Sequence, residues 1–192
     1  MKTLLLTICF ILTLVVNGLC DCTVMVAGKK AAAGCNPASN EVGSRTEQAS
    51  NQSIAPGAIQ CYPVSADCSG TLRYPSIMHY STGADNVKIG IFTRSGAPSS
   101  GSALVGNWSG YISSGSSDGW KTGGDKLTGS VTNAANYYLC LCGGTGGFDF
   151  YYAASGSTYY YSTTDCGSPP STLDLSWTEG SNRTLSAYVE IE

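Results

Sequence analysis

Residues 136–163 read NYYLCLCGGTGGFDFYYAASGSTYYYST, and the fold turns on how this stretch is read. Tyr137, Leu139 and Leu141 fall on one side, and Tyr138, Cys140 and Cys142 on the other. Phe148, Phe150 and Tyr152 then alternate with Asp149 and Tyr151, and Tyr159 and Tyr161 flank Tyr160. A strand turns successive side chains to opposite faces, so a period of two rich in aromatic and apolar residues marks half-buried strands and not helix. The glycines of residues 143–147 and the small residues 154–157 read as turns, because tight antiparallel connections need positive φ. The expectation is three consecutive antiparallel strands with one dry and one wet face.

Working outward, the same alternation recurs. In residues 86–93, Val87, Ile89 and Ile91 face inward while Lys88, Gly90 and Phe92 face outward. At the C-terminal side Leu185, Ala187, Val189 and Ile191 face the core, and Ser186, Tyr188 and Glu190 face out. Further strand candidates are residues 58–64 with Cys61, 71–80 with an edge or a bulge at Pro75, and 103–112 with Trp108. Residues 126–131 and 173–177 complete the set, and no segment carries a helical apolar face. About nine or ten short strands with Gly- and Pro-rich turns imply an all-β sandwich or barrel. An antiparallel two-sheet jelly-roll sandwich over residues 58–192 is the economical architecture.

The chain before residue 58 reads differently. Residues 1–18 carry Lys2 and an apolar run from Leu4 to Val16, the pattern of a secretory signal peptide. That run is short of the roughly 20 apolar residues of a membrane span. Residues 19–57 then divide in two. Thr23, Val24, Met25, Val26 and Ala27 form a short strand candidate bracketed by Cys20, Cys22 and Cys35. Residues 36–57 are polar, lack alternation and read as a spacer, long for a loop inside a compact domain.

Nine cysteines are present, and Cys9 leaves with the signal. Cleavage after Gly18 leaves Cys20, Cys22, Cys35, Cys61, Cys68, Cys140, Cys142 and Cys166 as disulfide candidates, an even set suited to an oxidising compartment. Their connectivity is open at this point. The C-x-C pairs and the single histidine, His79, do not match zinc-ligand spacing, so no metal or cofactor is expected. Asn51, Asn107 and Asn182 head N-x-S/T sequons and are candidate glycan acceptors. A net charge of −3 with no basic run argues against nucleic-acid partners and against an anionic membrane surface.

The run NVKIGIFTRSGAPSSGSALVGNWSG, then Gly119-Trp120, NYYLCLC, FDFYYAASGSTYYYSTTDCGSPPSTL and the closing NRTLSAYVEIE resembles a jelly-roll module of secreted and cell-surface microbial proteins. The resemblance covers residues 86–192 and rests on turn glycines, inward tyrosines and the Gly-Ser-Pro-Pro turn. It implies a binding or structural role and carries no catalytic residues. The cysteine-bracketed strand and spacer depart from that module. They are architecturally similar to subunits of extracellular filaments that polymerise by strand donation.

Catalysis is not expected. His79 is the only histidine, no nucleophile elbow surrounds a serine, and the carboxylates of Asp67, Asp85, Asp118, Asp125 and Asp165 are scattered singly through turns. Two readings remain. The favoured one is a secreted structural glycoprotein whose partners are copies of itself, joined by donation of Thr23, Val24, Met25, Val26 and Ala27 to a neighbour's sheet edge. The alternative is a non-catalytic glycan-binding module, with Tyr138, Tyr151, Tyr160 and Tyr188 on the outward phase of their strands for stacking on sugars.

Overall fold

The computed structural model describes residues 40–80, 85–99, 101–115 and 117–192. The leader expected at 1–18, the strand candidate at 23–27, residues 36–39 of the expected spacer, and Cys20, Cys22 and Cys35 lie outside the described residues. Among the described residues every regular element is a strand. The strands are β1 (Glu41–Gly43), β2 (Ser50–Ile54), β3 (Ala58–Ser65), β4 (Gly70–His79), β5 (Asn86–Thr93) and β6 (Ile112–Ser113). They continue with β7 (Gly119–Thr122), β8 (Ser130–Val131), β9 (Asn136–Gly143), β10 (Phe148–Thr163), β11 (Thr178–Leu185) and β12 (Ala187–Ile191). All pairings are antiparallel, and the twelve join in one hydrogen-bonded sheet that does not close. Its path runs β1-β12-β4-β10-β3-β9-β5-β6, with β2 and β11 also on β10 and β7 and β8 on β4.

The stretch expected as three successive strands is two, and they are not neighbours. β3 lies between β9 and β10, paired to β9 from Ile59↔Cys142 to Ser65↔Asn136 and to β10 from Tyr160↔Cys61 to Thr163↔Ala58. Residues 154–157 do not turn the chain. β10 runs through them as one strand of 16 residues. Residues 154–156 form a bulge against β11, whose register jumps from Ala153↔Thr184 to Ser157↔Arg183. Gly156 sits there at φ 113°, a conformation that glycine takes without a Cβ penalty. Glycine marked the irregularity, but a bulge and a turn ask for the same residue.

The expectation of one wet face also fails. β9 is buried from Tyr137 to Gly143. Tyr137, Leu139 and Leu141 pack with Tyr62 of β3 and Val87, Ile89 and Ile91 of β5 in the main core. On the other face Tyr138, Cys140 and Cys142 pack with Ile59, Cys61 and Phe92 in a second core. Phe92, expected outward, is fully buried there. The roof is irregular chain: Leu104 and Trp108 from one segment, Cys166, Leu173, Leu175 and Trp177 from another. Trp108 lies so close on β5 that a Cβ at Gly90 would come within 2.8 Å of its ring. Its indole Nε1 donates to the Pro170 carbonyl at 2.8 Å. Residues 103–109 run along β5 and take its outer hydrogen bonds, with Val105 N donating to Ile91 O at 2.7 Å and Ser109 N to Ile89 O at 2.9 Å.

Two parts of the stretch read as spacer, residues 41–43 and 50–54, are strands. β1 pairs with β12 from Glu41↔Glu190 to Gly43↔Tyr188, and β2 pairs with β10 from Phe148↔Ile54 to Tyr152↔Ser50. Val42 and Ile54 anchor them in the main core. One apolar anchor per strand leaves no periodicity to detect, and the rest of β2 alternates between more and less exposed polar side chains. The bulge expected around Pro75 is present, as a register shift between Val189↔Pro75 and Ile191↔Leu72.

Two disulfides form among the described cysteines, Cys61–Cys140 and Cys142–Cys166. Both border the second core. The first links directly opposed residues of β3 and β9, and the second ties β9 to the start of the roof segment. Their sequence separations of 79 and 24 residues correspond, by loop-closure entropy alone, to about 4.5 and about 3.5 kcal/mol of stabilisation. Non-reducing peptide mapping should recover these two pairs. Cys61→Ser/Cys140→Ser should lower the melting temperature more than Cys142→Ser/Cys166→Ser, each by on the order of 10 °C.

Candidate functional site

Thr23, Val24, Met25, Val26 and Ala27, expected as a donated strand, lie outside the described residues, so the structure bears only on the sheet edges. Among the described strands β2 and β11 each pair with β10 only, β7 and β8 each pair with β4 only, and β1 and β6 end the path. The ends are short, three and two residues. β11 is the longest one-sided strand, eight residues, and most of them are exposed or half-buried. β1 is fastened to its surroundings: Asp67 N donates to Glu41 O at 3.0 Å, and the buried Glu41 carboxylate accepts from Arg45 N at 3.0 Å and Arg45 Nε at 2.9 Å.

The four tyrosines proposed for sugar stacking do not form one platform. Tyr138 is fully buried in the second core, its hydroxyl donating to the Gly96 carbonyl, with Tyr160 edge-on at 5.9 Å and the Arg94 guanidinium over its ring at 5.5 Å. Burial pushes its hydroxyl pKa up, with Arg94 working in the opposite direction. Tyr188 is 8% exposed, held between the Trp120 ring at 5.2 Å and the Arg45 guanidinium at 4.1 Å. Both depart from the outward expectation for one reason. Alternation tells which side of a strand a residue takes, but not whether further chain covers that side. Tyr160 is half-buried beside Tyr138. Tyr151 is half-buried and lies edge-on to Tyr80 at 5.4 Å. Tyr80, 40% exposed, is a surface aromatic that the strand reading of residues 71–80 did not single out. The signal was its phase: His79 packs inward, so Tyr80 emerges on the opposite face.

His79 is fully buried, its ring 4.9 Å from Phe148 and its Nδ1 3.4 Å from the Ser117 carbonyl. It is a core residue. Among the described residues no group of three His, Cys, Asp or Glu gathers as metal ligands would. No helix among them is long and apolar enough to cross a membrane.

The three sequons differ sharply. Asn51 on β2 is exposed and opposes Tyr151 of β10. Asn182 on β11 is exposed and opposes Thr158 of β10, whose Oγ1 donates to its Oδ1 at 3.1 Å. Asn107 is bound into the structure. Its Nδ2 donates to Trp108 O at 2.9 Å and Lys126 O at 3.2 Å, and its Oδ1 accepts from Thr128 N at 2.7 Å and Thr128 Oγ1 at 3.0 Å. These bonds clamp the ribbon covering β5 to residues 126–128. The sequon's Ser109 is buried, its Oγ accepting from Ile89 N at 2.8 Å.

No protein-family model and no curated protein matches the chain.

The Asn107 network gives a direct test. Asn107→Ala removes four hydrogen bonds at a partly exposed site and should cost about 1–3 kcal/mol. Thermal unfolding should then shift down by roughly 2–10 °C, and near-ultraviolet circular dichroism should report a loosened Trp108.

Proposed function

We propose that the protein is a secreted structural glycoprotein, a subunit of an extracellular filament or surface assembly whose copies join by β-strand addition and disulfides. The observation that carries the reading is the open sheet. A sheet that does not close presents unpaired N–H and C=O groups at its edges, which template a further strand. Two disulfides are compatible with an oxidising, extracellular setting. In this reading the strands form the two packed sheets of a jelly roll. Support comes from the main core, where Val87, Ile89, Ile91, Leu139 and Leu141 of β5 and β9 pack with Leu72, Ile77, Val189 and Ile191 of β4 and β12, and from β10, which pairs with β2 and β4 near its start and β3 near its end.

The donated strand is Thr23, Val24, Met25, Val26 and Ala27, with Val24 and Val26 seated against a neighbour's apolar face. Cys20, Cys22 and Cys35 then lock the joint. Head-to-tail pairing of this kind does not close, and so builds filaments. The partners are therefore copies of the same chain, and the role is non-catalytic, with no cofactor.

The second reading, a glycan-binding module, is favoured by the Tyr80–Tyr151 pair. Exposed and half-buried rings side by side can stack on a sugar. The Trp120–Tyr188 pair is a further aromatic contact, though its tyrosine is buried.

Negative-stain microscopy of the mature protein should show filaments, and the full-length Val24→Asp/Val26→Asp variant should remain folded but unassembled. Monomers in both samples would sink the assembly reading. Loss of folding in the variant would make the strand internal. For the second reading, pull-down on insoluble polysaccharide should weaken on Tyr151→Ala or Tyr160→Ala, and no retention of the wild type would dismiss it.

A further inference from the structure

We infer that Asn51 and Asn182 carry N-linked glycans that shield the two sheet edges flanking β10, and that Asn107 carries none in the folded protein. The inference stands independently of the assembly reading. It concerns which edges are kept closed.

Attachment joins Asn Nδ2 to C1 of a sugar supplied by a lipid diphosphate-linked oligosaccharide. The N–C bond forms as the C1–O bond to the diphosphate breaks, the lipid diphosphate leaves, and Nδ2 gives up one of its two protons. A glycosylated asparagine therefore keeps one N–H and its carbonyl oxygen. Among the described residues the Asn182 side chain has one hydrogen bond, and it uses Oδ1, which the modification leaves intact. At Asn51 the side chain is exposed. At Asn107 both N–H groups are engaged, on Trp108 O and Lys126 O, so a sugar there would break one of them and push into the chain covering β5.

The positions of the two accessible acceptors are not scattered. Each lies on a strand that pairs on one side only, and on the same partner, β10. β2 reads Ser-Asn-Gln-Ser-Ile, with neither charge nor proline, so it lacks the usual side-chain guards against edge-to-edge pairing. β11 is the longer one-sided strand, and Asn182 sits near its middle. A bulky, hydrated oligosaccharide on each strand obstructs a second chain from lying alongside. Cross-strand residues hold their Cβ atoms about 5 Å apart, so the first sugar on Asn51 can rest against Tyr151 and its neighbour Tyr80. Those rings would then serve the protein's own glycan. A donated strand would then enter at an edge other than β2 and β11, among the short strands β1, β6, β7 and β8.

The test uses the full chain secreted from eukaryotic cells, with intact mass measured before and after enzymatic release of N-glycans. Asn51→Gln and Asn182→Gln should each lose the mass of one glycan, and Asn107→Gln should lose none. An unchanged glycan mass in either of the first two, or a loss in the third, overturns the assignment. Shielding is read separately by size-exclusion chromatography across a concentration series. The Asn51→Gln/Asn182→Gln variant, and folded wild type whose glycans are trimmed to one sugar, should both associate at lower concentration than untrimmed wild type. Equal monodispersity of all three overturns the shielding role. Failure of the filament experiment would leave the glycan count untouched, so the two ideas fail separately.

Discussion

Burial of β9 on both faces is the constraint on which the rest of the molecule depends. An antiparallel strand with one solvated face can tolerate many substitutions on that side. β9 has no such side from Tyr137 onward. Its two cysteines point the same way, into the second core, and each is bonded to a different element, one to β3 and one to the roof. The part of the roof that follows β10 is irregular chain with few apolar side chains of its own, chiefly Leu173, Leu175 and Trp177. Full burial of such a side chain is worth about 1.5–3 kcal/mol each, modest against the entropy of ordering a loop. The Cys142–Cys166 bond holds that loop near the sheet, and the Trp108 contact on Gly90 closes the second core from the other side.

β10 solves a different problem. It borders β2 and β4 near its start and β3 near its end, and its bulge at residues 154–156 lets it do so without breaking. Arg183, directly after that bulge on β11, lays its guanidinium over Tyr152 at 4.3 Å and Tyr159 at 4.6 Å. Tyr159 in turn stacks on Tyr62 at 5.3 Å, so one cation and three rings brace the irregular part of the sheet from the core side. Burial raises the Tyr62 hydroxyl pKa well above its ordinary range, with the nearby Arg183 charge offsetting part of the effect. The hydroxyl donates to Gln60 Oε1 at 2.7 Å, which satisfies it inside the core.

Much of this was legible in the chain, and the failures have a common origin. The inward phases of β5, β9 and β12 follow from a period of two, and their apolar residues fill the main core. Periodicity is a property of one strand, however, and three facts here are properties of pairs. That β3 separates β9 from β10 depends on long-range pairing. That Phe92, Tyr138 and Tyr188 are covered depends on chain remote in sequence. That β1 and β2 are strands depends on partners, since Val42 and Ile54 are their only strong apolar anchors. The sequons show the same limit: three identical motifs occupy an open edge, another open edge, and a structural clamp.

The disulfides also bear on how the fold and any assembly are divided along the chain. Both join residues within the stretch from β3 to the roof, so the two-sided burial of β9 is cross-linked by cysteines of residues 61–166 alone. Cys20, Cys22 and Cys35 are not needed for either bond. The second core is therefore closed by bonds internal to the described residues, one across the β3–β9 pair and one from β9 to the chain that covers it.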